Sequence, residues 1–245
     1  MEPFDVRYDL FNGAQIKLTA DRVSPDELSR LIGQLSDAGK QLVWLTLPIH
    51  QAHLIACFTE QGFVFQLCQE QELTLVLRIQ ADAYAPFAPT HTLGVGGLVL
   101  NPAGEVLLIR DRMMRGQGFK LPGGYVDMGE SVQRAAEREV REETGIRASF
   151  SALVGLIGKY PHQYNKGNLY LVCRLTALST TIEIQDTAEI EAAVWMPVAD
   201  YLADSQSSRF HRHLVASLTD SSGLTPNAFE FDPDPLGSRE ILLAP

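Results

Sequence analysis

Apolar and polar residues alternate through positions 4–11, FDVRYDLF, with the period of a half-buried strand. Asn12-Gly13 follows as a hairpin signal, and AQIKLT supplies a second strand. In SPDELSRLIGQLSDAGK the period becomes helical. Ser24 is placed to cap that helix, Pro25 to fill its first position and Glu27 to close a capping box. A strand LVWLTLP, a helical stretch IHQAHLIACFTEQG and two strands, FVFQLCQ and LTLVLRI, complete the order ββαβαββ. This predicts a small α+β domain over residues 1–80.

Residues 81–90, ADAYAPFAPT, carry two prolines among small residues and read as a linker. A new pattern then begins. HTLGVGGLVL and the residues after Gly104 predict two strands around a turn at Pro102-Ala103-Gly104. ASFSALVGLIGKY and NLYLVCRLTAL predict two more, and AAVWMPVADYL a strand running into a short helix. These elements bound a second domain at 91–205. Residues 206–245 predict a helix around SSRFHRHLVASL and a tail with four prolines that packs over the surface or is poorly ordered.

Between the second domain's strands lies GGYVDMGESVQRAAEREVREETGI, residues 123–146. As a helix from Ser131 to Thr144, ended by Gly145, it places Glu139, Glu142 and Glu143 within about a 100° arc. Val132, Ala136 and Val140 form an adjoining apolar stripe that docks on a sheet. Carboxylates at i, i+3 and i, i+4 repel one another, and burial makes this worse. A divalent cation removes the penalty, and clustered hard oxygen ligands suit Mg²⁺ or Mn²⁺. Gly123 and Gly124 allow the backbone to bend closely around such a site.

Composition narrows the partners. The 245 residues are 45% hydrophobic and 20% charged, ordinary for a globular chain, and the net charge is −10. That charge argues against nucleic-acid or anionic-membrane binding but permits a phosphorylated small molecule screened by metal. Cys57, Cys68 and Cys173 lie far apart in apolar surroundings and read as buried free thiols. There is neither a signal-peptide pattern at MEPFDVRYDL nor an apolar run approaching the ~18 residues of a membrane span. The sequence thus predicts a soluble, cytoplasmic protein.

The acidic stretch resembles the Nudix box, G-x5-E-x7-R-E-U-x-E-E-x-G-U with U aliphatic. Its fixed positions fall on Gly124, Glu130, Arg138, Glu139, Val140, Glu142, Glu143, Gly145 and Ile146. From average composition a chance match is on the order of 10⁻⁹ per starting position. The resemblance implies a Nudix α/β/α sandwich with a mixed sheet, and hydrolysis of a nucleoside diphosphate linked to another moiety. It implies metal held by Glu139, Glu142 and Glu143 with a carbonyl from Gly123, and Glu130 supporting the loop with Gly124 and Gly145. Arg138 orients a glutamate. Attack is in line, by water, with the catalytic set drawn from Arg138, Glu139, Glu142 and Glu189. The general base is either Glu139 or a glutamate on a later loop, where Glu189 precedes the Trp-x-Pro segment and Glu183 and Glu191 are lesser candidates.

The likeness covers roughly residues 1–205. VWLTLPIHQAHLIACFTEQGFVFQ, HTLGVGGLVL, FKLPGGYVD and KGNLYLVCRL are similar, in order, to the two-domain subgroup of the animal fibroblast-growth-factor antisense Nudix protein and the plant cytosolic ADP-ribose/NADH pyrophosphatases. Departures are Gly167-Asn168, where Ser-Asp is common, and Phe119, where Trp is frequent. The first domain also resembles part of an acetyltransferase but lacks the loop that cradles acetyl-CoA; it reads as a packing, dimerising or substrate-covering domain, and a homodimer stays open. Substrate contacts are expected from Arg110, Lys120, Phe119 and His162, with Arg112 and Tyr164 as further candidates. His211 and His213, two apart on a helix, point to different faces and predict no metal site. The implied reaction is Mg²⁺/Mn²⁺-dependent release of AMP from ADP-ribose, NADH or a related compound. Alternatives are house-cleaning of nucleoside triphosphates or dinucleoside polyphosphates, and a non-catalytic sensing module.

Overall fold

The computed structural model describes residues 3–9, 12–113, 118–228 and 239–244. Contacts divide the chain into two units, Met1–Pro89 and Thr90–Pro245.

In the first unit β1 (Phe4–Tyr8) and β2 (Gly13–Leu18) precede α1 (Pro25–Asp37) and β3 (Leu42–Pro48). A 3₁₀ turn, Ile49–Leu54, leads into α2 (Ile55–Glu60), β4 (Val64–Cys68) and β5 (Glu72–Arg78). The sheet order is β1-β2-β3-β5-β4, with β2 and β3 parallel. Leu28, Leu31 and Leu35 of α1 and Phe58 of α2 pack on Ile16, Val43, Leu45 and Leu75 of the sheet. Fully burying such side chains contributes roughly 1.5–3 kcal/mol each.

Several local expectations need correction. β1 ends at Tyr8, because the Asp9 carboxylate takes the Gly13 N–H at 2.8 Å and Asn12 turns left-handed, making the connection longer than a two-residue hairpin. The helical stretch at 49–62 is divided between the 3₁₀ turn and α2; Pro48, at its start, offers no side-chain cap. Cys68 is exposed, since β4 is an edge strand, and Cys57 of α2 is only partly covered; Cys173 alone of the three is buried. Apart from these corrections, within the stretch 81–90 Ala83 and Ala85 are buried with Leu42 and Val76 against Trp44.

The second unit is built on β6 (His91–Leu100), β7 (Glu105–Asp111), β8 (Ala148–Lys159), β9 (Gly167–Ala177) and β10 (Ile190–Pro197). Their order is β10-β7-β6-β9-β8, antiparallel except for β6 beside β9, so the sheet is mixed. Alternation along the strands sends side chains to two faces. Val95, Val99, Leu107, Leu171 and Cys173 meet Ala135, Ala136 and Val140 of α3 (Val132–Thr144). Leu98, Val106, Leu108 and Val172 meet Tyr201 of α4 (Val198–Ala203) and Leu214 and Val215 of α5 (Arg209–Leu218). The result is the expected α/β/α sandwich.

One irregularity positions the site. β6 and β7 pair only beside their turn, at Leu100 and Val106, and then diverge. The segment after β7 fills the split. Lys120 exchanges both backbone hydrogen bonds with Ile109 of β7 at 2.9 Å. On β6, Gly97 N–H donates to Pro122 O at 2.8 Å and Val95 N–H to Gly124 O at 2.9 Å, while Val126 N–H donates to Leu93 O at 3.0 Å. The tail returns to this unit through the short pair β11 (Thr225–Pro226) and β12 (Leu242–Leu243), with Leu242 packed on the α3-side core. Pro233, Pro235 and Pro245, on which part of the tail expectation rested, lie outside the described residues. No helix among the described residues is long and apolar enough to cross a membrane.

Candidate active site

The acidic helix is α3, and its ends follow from its sequence. Ser131 caps it, accepting the Arg134 N–H, and Gly145 ends it in the left-handed conformation at φ 75°. The first two N–H groups are satisfied from afar: Val132 and Gln133 each donate to one carboxylate oxygen of Glu240 at 3.0 Å. With the chain thus fixed, Glu139 and Glu143 fall at the edge of the face buried against the sheet.

Arg138 organises the outer side. Its Nε and Nη2 grip both oxygens of Glu130 at 2.9 Å in a bidentate fork. Nη1 donates to Glu139 at 2.8 Å and Glu142 at 3.1 Å, and Nη2 to the Tyr125 carbonyl at 3.0 Å. The Arg138 contact holds the Glu130 carboxyl below its usual range, and the guanidinium is held above its own, chiefly by Glu130. One side chain therefore ties the loop before the helix to two of the box glutamates.

The inner side is different. Glu143 is 4% exposed and accepts the Gly123 N–H at 2.5 Å. Burial pushes its carboxyl up to about 8, with Glu139 and Glu189 adding repulsion while the Gly123 N–H and Lys120 act against it. Burial likewise raises Glu139, which Arg138 partly offsets and Glu142 and Glu189 reinforce. Gly123 sits at φ 150°, and a side chain there would collide with the Val95 carbonyl, so only glycine brings this N–H to Glu143. Glu139 lies against Gly124, where an added Cβ would stand 2.7 Å from its carboxylate.

Among the described residues no three acidic, His or Cys side chains already stand at the spacing of a closed metal site. Each box glutamate is held instead by a protein donor: Arg138 for Glu139 and Glu142, Gly123 for Glu143. The donor set still fits a hard divalent cation, because Lys120, itself paired to Asp111, and the Gly123 N–H do not offset the burial of Glu143 and its repulsion with Glu139.

The remaining expected residues divide. Glu189, exposed and directly before β10, is within electrostatic reach of Glu139 and Glu143, and its loop is held by Arg112, which bonds Thr187 O and Glu189 O. Lys120 is paired to Asp111 at 3.2 Å and reaches Glu143 electrostatically. Arg110 is paired with Glu191 at 3.1 Å and lies over the Phe119 ring, whose other contacts are with the α4–α5 core. His162 meets the Tyr125 hydroxyl at 3.2 Å, whereas Tyr164 is 92% exposed. The backbone of Glu183 packs on Gly145 at the end of α3, its N–H donating to Thr144 O. His211 is partly buried, with burial holding it below its usual range, while His213 is exposed, so the two do point apart. Sequence reasoning missed Tyr125 and Glu240, which no local pattern marks.

Residues 90–218 match the family description "NUDIX domain", more than half of the chain, and residues 4–79 match "Nudix hydrolase domain". The chain belongs to the Nudix family. It is 34% identical over 182 residues to Nudix hydrolase 8 of Arabidopsis thaliana, spanning 71% of this chain and 49% of that protein. To the nucleoside diphosphate-linked moiety X motif 6 protein of Xenopus laevis it is 38% identical over 136 residues, 54% of this chain and 63% of that one. The MutT Nudix hydrolase of Burkholderia pseudomallei superposes with a TM-score of 0.44 at 25% identity, covering 51% of this chain and 96% of that structure. This Nudix chain thus spans about half to two thirds of the length of the two relatives.

Proposed function

We propose that this Nudix protein is a Mg²⁺- or Mn²⁺-dependent pyrophosphohydrolase that cleaves a nucleoside diphosphate linked to a second group, ADP-ribose or NADH foremost, and releases AMP. The observation that carries the reading is the inner carboxylate pair: Glu143, buried with its carboxyl raised to about 8, stands with Glu139 on an intact box helix. Buried charge of one sign has a use when cation and pyrophosphate share the space beside it. Glu139, Glu142 and Glu143 hold the metal, joined by the Gly123 carbonyl, and the bound ion supplies Lewis-acid neutralisation of the phosphate oxygens.

The chain's own groups do the rest. Arg138 keeps Glu139 and Glu142 aimed and ties them to the Glu130 loop. Glu189 takes the proton of the attacking water: it is exposed beside the cluster, and among the described residues no cation or N–H engages its carboxylate. Lys120, Arg110 and Phe119 meet the substrate from the β7 side and His162 from the loop before β9. The choice of ADP-linked substrates rests on the two-part resemblance over residues 1–205.

The test is incubation of the full chain with Mg²⁺ or Mn²⁺ and a panel of ADP-ribose, NADH, dinucleoside polyphosphates and nucleoside triphosphates. AMP release from the first two is expected. Pyrophosphate release confined to triphosphates would replace the substrate, and unchanged turnover after joint Glu142→Gln and Glu143→Gln substitution would remove the metal assignment.

A further inference from the structure

The strand beside the box loop is unusually bare. β6 reads HTLGVGGLVL, and Gly94 and Gly96 fall on the same face of it. The space their missing side chains leave is filled from β9, its parallel neighbour, where Tyr170 pairs with Gly94. An added Cβ at Gly94 would lie 3.4 Å from the Tyr170 ring and 3.2 Å from the Gly124 carbonyl. One at Gly96 would collide with the Tyr170 hydroxyl itself. The Gly96 Cα also abuts Gly123, the residue whose N–H holds Glu143. The phenol oxygen is therefore delivered to the point on β6 where the Gly123–Gly124 wall passes over it.

Tyr170 is only partly buried, and among the described residues its hydroxyl makes no hydrogen bond and is not among the sealed polar atoms, so a ligand can reach it. Burial and the Glu143 and Glu139 charges hold it well above the usual phenol range, so it keeps its proton at any working pH. The Tyr170 ring packs on the α4–α5 side of the sheet, and the hydroxyl is a donor without a protein acceptor within electrostatic reach of Glu143 and Glu139, which Gly123 and Arg138 already hold. A donor left open beside a site is met by water or by an acceptor of the ligand. A neutral phenol is a poor ligand for a hard cation but a good partner for an anionic oxygen.

We infer that the Tyr170 hydroxyl is a substrate-contacting donor of this site, bonding a non-bridging oxygen of the phosphate group that lies against the Gly123–Gly124 wall. The inference rests on the phosphate-substrate reading above. It also accounts for the glycines of β6, which clear the ring's path so that the hydroxyl lies on the strand's backbone beside the carboxylates.

The experiment is Tyr170→Phe in the full chain, which removes one oxygen and keeps the ring. Melting temperature and its rise on adding Mg²⁺ are expected to match the wild type. With Mg²⁺, kcat/KM on the best substrate of the panel falls about ten- to a hundredfold, the range for losing a hydrogen bond to a charged group. Affinity for α,β-methylene-ADP, a diphosphate that resists cleavage at that bond, falls by a similar factor. Equal kcat/KM and equal analogue affinity in the two proteins would mean that water alone meets the hydroxyl, and would overturn the assignment. Loss of the Mg²⁺-dependent rise in melting temperature would overturn it too, placing the phenol in support of the carboxylates. A wild type that cleaves nothing but binds the analogue defeats the hydrolase reading alone; Tyr170→Phe is then judged on analogue affinity. A wild type that neither cleaves nor binds defeats both.

Discussion

α1 and α3 are both thirteen residues long, both amphipathic and both capped by a serine, yet they are built on different terms. α1 buries Leu28, Leu31 and Leu35 and closes its own N-terminus within four residues through Ser24 and Glu27. α3 buries Ala135, Ala136 and Val140, but also Glu143, and draws its cap partly from Glu240, 108 residues away. A helix that only has to pack can be specified locally. One that must hold charge in place depends on groups brought in from elsewhere in the fold: Gly123, Tyr125 and Glu240.

The contrast can be broken most severely at Glu143. Glu143→Gln removes the buried carboxyl that would become a charged ligand, and turnover is expected to fall on the order of a thousandfold with Mg²⁺ saturating; Leu31→Ala in α1 leaves kcat/KM per folded molecule within about twofold while costing about 2–4 kcal/mol in urea unfolding. Next comes Arg138→Ala. It leaves Glu130 and Glu139 without their cation and is expected to cost about 2–3 kcal/mol by denaturant titration, less than a sealed ion pair because 27% of the guanidinium side chain stays exposed.

The charge also predicts a pH dependence that α1 does not share. Glu143 titrates near 8 in the folded metal-free protein, against an ordinary 4.5 in the unfolded chain. Below 4.5 both states hold the proton and the group contributes nothing. Between the two values the unfolded chain releases it while the folded protein keeps it, so stability falls as pH rises and levels off above about 8. Melting curves in EDTA are expected to show this decline in the wild type and a flatter profile in Glu143→Gln. The smallest effects are at the caps. Ser24→Ala and Glu240→Ala are each expected to cost about 1 kcal/mol. Only the second is expected to weaken Mg²⁺ binding, followed by the metal-dependent shift in melting temperature.

What could be read from the sequence follows the same division. The capping box of α1, the Pro102-Ala103-Gly104 turn and the stop at Gly145 were legible because their signals span a few residues. The spacing of Glu130, Arg138, Glu139, Glu142 and Glu143 was legible for the same reason: one helix and the loop before it fix their relation. The opening of β6 from β7, which lodges residues 120–126 between them, left no mark in the strand pattern, since both strands still alternate. Tyr170 looked like any residue of an apolar strand, and its meaning came from Gly94 and Gly96 on the strand beside it. The division of 49–62 and the exposure of Cys68 were lost to local context, a weak first turn in one case and an edge strand in the other.

The reach of Glu240 to Val132 and Gln133 has a consequence in time. At about 5–20 residues per second, synthesis needs some 5–20 s to run the 108 residues separating cap from helix. During that interval the box helix is complete in covalent terms while its first two N–H groups still face water. The segment that bears the box glutamates is thus among the last parts of the second unit to be secured.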